Sequence, residues 1–225
     1  MPGLAYVYDR VVEAGRISLD FELDGDLDKA PWTSVSPLLL EQANEPPARY
    51  PEARTEVSVL WRPSALYIGF RCRFTELNLF DDPDVSLERW ELWNRDVVEV
   101  FINPFPEHVT RYWEFEVSPR NQWIDLAIDL KREPIWDAGW NSGFTHATRI
   151  DENSRTWCCE MRLPVSAFAL DCIRPEQEWR VNFYRCDGPG DDSIRRFLAW
   201  CPTCETTFHV PARFGRLVFS TREVA

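Results

Sequence analysis

The stretch LWNRDVVEVFIN, residues 92–103, decides the fold of this chain. From its middle onward the side chains alternate, with Val98 and Val100 on one side and Glu99 and Phe101 on the other. A period of two residues is typical of a β-strand that buries one of its faces. The stretch therefore predicts a strand, and it raises the question of why an acidic side chain lies in its middle.

The same period of two recurs along the chain, whereas helical periodicity is almost absent. Predicted strands cover residues 56–61, 66–74, 97–103, 111–118, 123–130, 144–150, 156–163, 179–186, 195–200 and 215–220. Turns rich in Pro, Gly, Asn and Asp separate them. Only residues 164–170 indicate a helical turn, with Pro164 suited to its first position. Short alternating strands without intervening helices predict an all-β fold, a two-sheet antiparallel β-sandwich of jelly-roll type.

The chain has 225 residues and shows no internal repeat and no low-complexity linker. A β-sandwich of this length is commonly one domain, so residues 1–225 are predicted to form a single domain. Long loops at the ends of a sandwich carry function on a rigid scaffold. The long loops are residues 75–95 with Trp90 and Trp93, residues 131–143 with Trp136 and Trp140, and residues 201–213 with Phe208 and His209.

The formal net charge of −12 restricts the partners of the chain. Nucleic acids and anionic membrane surfaces attract basic proteins, so neither is an expected partner. No apolar run reaches the roughly 18 residues of a membrane-spanning helix. Neutral ligands and cations remain open.

The seven cysteines are an odd number, and two of them, Cys158 and Cys159, are adjacent. Adjacent residues of a strand point to opposite faces, which favours free, buried thiols in a reducing compartment over a disulfide framework. The opening MPGLAYVYDR, residues 1–10, contains no apolar signal segment. A cytoplasmic location is therefore expected, with secretion as the alternative if the chain is processed.

Trp93 lies close to two acids, Asp96 and Glu99. Sugar rings present C–H patches that pack on aromatic faces, and their hydroxyl groups need charged or amide partners. The three side chains together supply both types of contact, which favours a carbohydrate ligand. The alternative is that Trp93 is a lid on the core, as loop tryptophans more often are.

Metal sites have weaker support in the sequence. Cys201, Cys204 and His209 offer three ligands for zinc, but a second cysteine pair with matching spacing is missing. Calcium is considered at DGDLD, residues 24–28, where carboxylates alternate. The calcium-loop pattern requires glycine where Lys29 stands, so these acids are better interpreted as solvated turn residues. No cofactor is therefore expected, and calcium, although left open, is not supported by matched ligands.

A catalytic site is a further alternative. Glu99 and Glu116 form a carboxylate pair for glycoside hydrolysis if the register of their strands brings them together. The motifs of serine hydrolases, zinc proteases, phosphate loops and dinucleotide-binding folds are absent from the sequence. Haem ligation requires His or Met in facing positions, for which only His146 and Met161 lie in predicted strands.

The order of several motifs along the chain is more specific than any one of them. The motifs are DGDLDKAPW (24–32), VLWRPSALYIGF (59–70), LWNRDVVEVFIN (92–103), TWCCEMRLPVSAF (156–168), NFYRCD (182–187), AW (199–200) and FHVPARFG (208–215). In this order they resemble the family 9 carbohydrate-binding modules over nearly the whole chain.

The resemblance implies a β-sandwich that binds the end of a saccharide between two aromatic rings. It places Trp93 at one wall, Phe208 at the other and Glu99 as the acceptor of sugar hydroxyls, with Asp96 anchoring its own loop. Glu116 stands where a member of the family carries a sugar-binding arginine. The remaining candidate binding residues in the closing segments are Arg185, Trp200 and His209.

The resemblance implies a non-catalytic domain whose partner is a mono- or oligosaccharide. It also marks differences, because characterised members carry tryptophan where this chain has Phe208 and an acid where it has Asn103. Two alternatives stay open: a haem-binding, electron-transferring domain of the related DOMON type, and a sugar-processing enzyme that uses Glu99 and Glu116.

Overall fold

The computed structural model describes residues 10–82, 84–137, 139–188 and 194–224. The strands in these ranges are β1 (Val11–Arg16), β2 (Leu38–Leu40), β3 (Thr55–Arg62), β4 (Ala65–Arg73), β5 (Val97–Asn103), β6 (Arg111–Val117), β7 (Trp123–Asp129), β8 (Trp136–Asp137), β9 (Thr145–Asp151), β10 (Thr156–Pro164), β11 (Glu178–Asp187), β12 (Arg196–Ala199) and β13 (Gly215–Glu223). The helical segments are short 3₁₀ turns at Trp32–Ser34, Pro51–Ala53, Leu92–Asn94, Val165–Phe168 and Pro211–Arg213. The all-β prediction is confirmed, and all ten predicted strands are present.

The two-sheet arrangement is not what the structure shows. The strands form one hydrogen-bonded sheet in the order β8-β7-β6-β5-β11-β13-β1-β3-β4-β10-β9, with β12 paired to β11 and β2 paired to β3. Strand β1 is parallel to both β13 and β3, whereas the other pairs are antiparallel. Strand β1 thus joins the two halves into one curled sheet, and neither the two-sheet sandwich nor the jelly-roll arrangement is confirmed.

The main core lies inside the curl, where side chains from both halves of the sheet meet. Phe70 of β4 and Phe183 of β11 have ring centroids 6.1 Å apart, although their strands are far from each other in the sheet order. Trp179 of β11 packs edge-on against Phe168, 5.3 Å away, in the turn that follows β10. Burial of such apolar surface stabilises the fold by about 25 cal/mol per Å².

Smaller apolar clusters cover the outer faces of the curl. On one side, Leu126 and Ile128 of β7 join Phe101, Tyr112 and Tyr184 of the neighbouring strands. On the other side, the segment that precedes β2 packs on β3, β4 and β10 through residues that include Ile17, Leu27 and Trp32. Both faces of the sheet are thus buried over much of their area.

The segment on the second outer face is held by one buried acid, Glu160 of β10. Its Oε2 accepts hydrogen bonds from the backbone N–H groups of Asp24 and Gly25 at 2.7 Å, and its Oε1 accepts one from Trp32 Nε1 at 2.6 Å. Lys29 Nζ lies 3.0 Å from the same carboxylate. The acids of 24–28 find cationic partners of their own in Lys29, Arg149 and Arg71.

All seven cysteines are free thiols, as the sequence predicts. Cys159 belongs to the main core and Cys158 to the outer cluster, so the adjacent pair does point to opposite faces of β10. Burial raises the pKa of Cys158 to about 11. Within the described ranges, no helix has the length and apolarity to cross a membrane.

Candidate functional site

A cleft of about 360 Å³ lies on the outer face of β5, β6 and β7. Its floor includes Glu99 of β5, Glu114 and Glu116 of β6, and Leu126 and Ile128 of β7. These positions share one face because side chains of a strand alternate. Their neighbours along β5 and β6, such as Val98 and Phe115, face the main core instead. The floor is therefore a direct product of strand periodicity.

Three indole rings form one wall of the cleft, which we call the tryptophan wall. The Trp90 and Trp93 ring centroids lie 5.1 Å apart, and those of Trp90 and Trp136 lie 5.5 Å apart. Trp90 is 42% exposed and Trp136 is 39% exposed. Trp93 lies in the 3₁₀ turn just before β5 and is half-buried. Two of the three predicted functional loops thus meet at this wall.

The third loop supplies Phe208 and His209 to the cleft. The Phe208 ring stacks on Tyr184 with a centroid distance of 4.1 Å and an interplanar angle of 14°. His209 Nδ1 forms a hydrogen bond of 2.5 Å with the hydroxyl of Tyr112. Both side chains are held by buried tyrosines of the sheet, which fixes their positions at the cleft.

Most of the predicted site residues come together in this cleft. Trp93, Glu99, Glu116, Phe208 and His209 all line it, although they come from distant parts of the chain. The resemblance and the chemistry of Trp93 and Glu99 had pointed to one shared site. The structure supplies the proximity that such a site requires.

Arg185 and Trp200 lie elsewhere. Arg185 is fully buried on the core side of β11, where it donates hydrogen bonds to Ala53 O at 2.8 Å and Thr55 Oγ1 at 2.9 Å and pairs with Asp187. Trp200 is 6% exposed and packs 5.7 Å from the Phe183 ring. For Arg185 the reason is strand parity: a shift of one residue moves a side chain to the opposite face of the sheet.

Several cleft residues were not among the predicted site residues. Glu114 is one, although its spacing of two from Glu116 places both on one face of β6. Trp90 and Trp136 stand in loops that were predicted to be functional. Arg195 donates hydrogen bonds to the carbonyl oxygens of Trp93 at 2.7 Å and Arg95 at 3.1 Å, and only the tertiary structure reveals this support.

Asp96 anchors the loop before β5, as expected. The carboxylate of this buried residue accepts hydrogen bonds from the backbone N–H groups of Asn78 at 3.1 Å and Gly188 at 2.9 Å. Burial, with the nearby Asp187 charge, raises the pKa of Asp96 to about 7. The side chain therefore positions the loop that carries Trp90 and Trp93 of the tryptophan wall.

Glu99, Glu114 and Glu116 form a compact group, which we call the glutamate triad. Each offers a carboxylate oxygen that lies within 4.8 Å of the others, and Glu99 and Glu116 are directly opposite on paired strands. All three side chains are buried. Cys186 Sγ lies 3.3 Å from Glu99 Oε1 as a hydrogen-bond donor. The register that the carboxylate-pair hypothesis required is therefore present.

The triad has unusual electrostatics. Burial, reinforced by Glu114, raises the pKa of Glu99 to about 8, although Arg195 acts in the opposite direction. Burial also raises the pKa of Glu116 well above its ordinary value, followed by the effects of Glu99 and Glu114. Glu99 was expected to act as an ionised acceptor. Desolvation disfavours the charged form of this side chain, so the ionised state stays a prediction.

Comparison with known proteins identifies the family of the chain. Residues 23–222 match the family described as carbohydrate family 9 binding domain-like. The chain therefore belongs to this family, and the resemblance in its ordered motifs is confirmed. A curated relative from Arthroderma benhamiae is 23% identical over an alignment of 205 positions that covers 84% of this chain and 87% of that protein. It is named "Extracellular protein".

Solved structures share the fold. A protein of Bacteroides uniformis matches with a TM-score of 0.75 and 18% identity over 95% of this chain and all of that chain. A family 9 carbohydrate-binding module from Caldicellulosiruptor kristjanssonii in complex with cellotriose matches at 0.66, with 15% identity and 95% of each chain covered. The module in complex with glucose matches at 0.65 and 15% identity over 96% and 98% of the two chains.

These comparisons bear on the other expectations as well. Membership of this family supports carbohydrate binding, whereas nothing in the matches supports the haem-binding or sugar-processing alternatives. The haem alternative depended on His146 and Met161 as ligands. These residues lie directly opposite each other on β9 and β10, and Met161 is fully buried in the core. The cytoplasmic location is not supported, because the curated relative carries an extracellular name.

Proposed function

We propose that this chain binds the end of a saccharide in the cleft, between the tryptophan wall and Phe208, and leaves the sugar chemically unchanged. The observation that carries the proposal is the convergence of three loops on one cleft with aromatic walls and a carboxyl floor. The family of the chain supports it, as do the structural neighbours that hold cellotriose and glucose. With a net charge of −12, nucleic acids and anionic membranes remain unexpected partners.

The walls and the floor divide the work of recognition. Aromatic rings remove the apolar C–H faces of a sugar from water, at about 25 cal/mol per Å² of apolar surface. The carboxyl oxygens of Glu99 accept hydrogen bonds from sugar hydroxyls. The hydroxyl groups of the ligand therefore face the floor of the cleft.

The expected affinity is modest. The cleft volume of about 360 Å³ is near the lower end of the range of roughly 300–1,000 Å³ for small-molecule pockets. A ligand of this size with few charged contacts is expected to bind with a Kd of about 1 µM to 1 mM, which corresponds to roughly −8 to −4 kcal/mol.

Calorimetric titration with glucose, cellobiose, cellotriose and a wider set of mono- and disaccharides tests the proposal. Trp93→Ala should weaken the best ligand by about ten-fold or more, which is roughly 1.4 kcal/mol, without unfolding the protein. Leu19→Ala is the control, because Leu19 is 78% exposed and is not part of the cleft lining.

Three results would contradict the proposal. The first is unchanged affinity in both Trp93→Ala and Phe208→Ala. The second is loss of the folded state in Trp93→Ala, which would make this ring a lid on the core. The third is release of product from a glycoside incubated with the protein, which would make the cleft catalytic.

A further inference from the structure

The floor of the cleft contains buried carboxyl oxygens that lack hydrogen-bond donors, although the charge of Arg195 and the Cys186 thiol both act on Glu99. Glu116 has no solvent exposure, and among the described residues neither of its carboxylate oxygens accepts a hydrogen bond from an N–H group, although the carboxyl of Glu114 lies beside it. Glu114 Oε2 is also buried without a hydrogen-bond partner among the described residues, and His209 Nδ1 lies 4.0 Å from it. Buried acids without partners are costly, so such groups indicate a missing ligand.

Other buried acids in the chain, such as Asp187 and Glu160, have cationic or hydrogen-bond partners. Asp187 pairs with Arg185 and Arg196. Glu160 accepts several hydrogen bonds and contacts Lys29. The deficit at the glutamate triad is therefore a local property of the cleft floor.

We infer that the glutamate triad holds one hard divalent cation, of the Ca²⁺ class, at the floor of the cleft. Oxygen ligands of Ca²⁺ lie about 2.3–2.6 Å from the ion, so two oxygens on one ion are separated by at most roughly 5 Å. The triad offers one oxygen from each residue, all within 4.8 Å of one another. The Cys186 hydrogen bond engages Glu99 Oε1 and leaves Oε2 for the ion.

The ligand chemistry selects the class of cation. Three carboxylates are hard oxygen ligands, which suit Ca²⁺, Mg²⁺ or Mn²⁺ better than zinc or copper. His209 Nδ1 is already engaged by the Tyr112 hydroxyl, so this nitrogen is occupied as a hydrogen-bond partner. Ca²⁺ takes six to eight oxygens in flexible geometry, whereas Mg²⁺ demands a near-ideal octahedron. Three glutamates on two neighbouring strands fit the flexible case.

The remaining coordination positions face the cleft. With Glu99 Oε1 engaged by Cys186, the three carboxylates supply between three and five oxygens, so a Ca²⁺ ion keeps room for other oxygen ligands. Resting on the proposed function, we assign these positions to hydroxyl groups of the saccharide. A bound cation also keeps the carboxylates ionised, because a nearby positive charge favours the charged form. The ion would thus connect the carboxyl floor to the neutral ligand.

Metal binding is tested first without any saccharide. Protein stripped with chelator and dialysed is titrated with CaCl₂ by calorimetry and with Tb³⁺ by luminescence sensitised through the tryptophan wall. One equivalent should bind, and Ca²⁺ should displace Tb³⁺. Glu116→Gln should weaken binding at least ten-fold while retaining the circular dichroism and melting transition of the parent.

The matched control is Asp28→Asn, which changes an exposed acid of the 24–28 loop and should leave Ca²⁺ binding unchanged. If Glu116→Gln does not fold, Glu99→Gln serves as the second variant with the same expected loss. Absence of binding at millimolar Ca²⁺ would overturn the inference. Binding that survives Glu116→Gln but is lost in Asp28→Asn would also overturn it, because the cation would then lie in the 24–28 loop.

Saccharide titrations distinguish failure of the cation site from failure of the proposed function. The best saccharide is titrated with Ca²⁺ present and again with chelator, where affinity should fall at least ten-fold. Saccharide binding that ignores the chelator overturns the bridging role and leaves the proposed function standing. Ca²⁺ binding in a protein that takes no saccharide has the opposite meaning: it supports the cation site and contradicts the proposed function.

Discussion

The alternation of side chains along β11 points Arg185 into the core and away from the cleft. Its role is therefore in stability and not in ligand binding. The neighbours of Arg185 on β11, Tyr184 and Cys186, belong to the cluster beneath the cleft. Arg185 itself points into the protein, where its guanidinium meets Asp187, Thr55 and the backbone of Ala53. Although Arg185 lies in a family motif, in this chain it forms a buried ion pair that supports the fold.

Replacement of Arg185 should therefore act on the fold. Arg185→Met leaves Asp187 buried with Arg196 as its remaining cation, and breaking a buried pair in this way costs about 3–5 kcal/mol. Urea denaturation followed by tryptophan fluorescence measures the loss. Arg149→Met is the control, because Arg149 is exposed and its pair with Asp26 spans 3.8 Å, so roughly 0–1 kcal/mol is expected. Equal losses in the two variants would refute the structural role.

Among the elements, the segment over β10 depends on Glu160 more than on its own acids. In this segment Gly25 adopts a positive φ of 77°. A Cβ at this position would lie 2.7 Å from the backbone nitrogen of Arg149. The turn thus requires glycine and brings its N–H to Glu160. The alternating acids of 24–28 are part of a turn that one buried carboxylate holds in place.

We expect Glu160→Gln to loosen this segment. The amide replaces an acceptor oxygen with an N–H₂ donor that faces the N–H groups of Asp24 and Gly25, so the folded state should lose about 1–3 kcal/mol. Hydrogen exchange of these two amides should accelerate, and saccharide affinity should not change. Glu178→Gln, which alters a partly exposed acid paired with Arg216, serves as the comparison. Unchanged exchange at Asp24 and Gly25 would contradict the assigned role.

Element boundaries follow the local pattern closely where strands alternate over six or more residues. The strands that alternation did not reveal are β1, β2 and β8. The last two have three and two residues, too few to show a period. Strand β1 carries the sequence VVEAGR, where small residues interrupt the pattern. Its Gly15 lies close to Val35 and Leu60, so this strand is defined by the neighbours that pack on it.

At the scale of the whole molecule, β1 is the element that makes one sheet from two halves. It pairs in parallel with β13 over Val11–Ala14 and with β3 at Gly15 and Arg16. Side chains from both halves then share the main core, as the contact between Phe70 and Phe183 shows. Neither half has a complete apolar core without the other.

We therefore predict that the chain unfolds as one cooperative unit. Thermal unfolding should give a single transition with matching calorimetric and van't Hoff enthalpies. Limited proteolysis should cut the long loops without releasing a stable half. Two separate transitions, or two protease-resistant fragments of comparable size, would show that the halves are independent domains.

The sequence by itself determined ten of the strands in the described residues and the faces of their side chains. Alternation is a local property of the pleated backbone, so it places Glu99 with Phe101 and Glu116 with Glu114 whatever the rest of the chain does. Ordered motifs added Trp93 and Phe208. These local features were enough to predict an all-β protein with a shared aromatic and acidic site.

Only the tertiary structure decided the strand order and the electrostatic environment of Glu99. Pairing of β1 with β13 and β3 joins residues from the two ends of the chain, and alternation carries no record of which strand lies beside which. The raised pKa of Glu99 depends on every atom that excludes water from it and on Glu114 beside it. Desolvation is a sum over the folded neighbourhood, so it exists only once the chain has closed around the site.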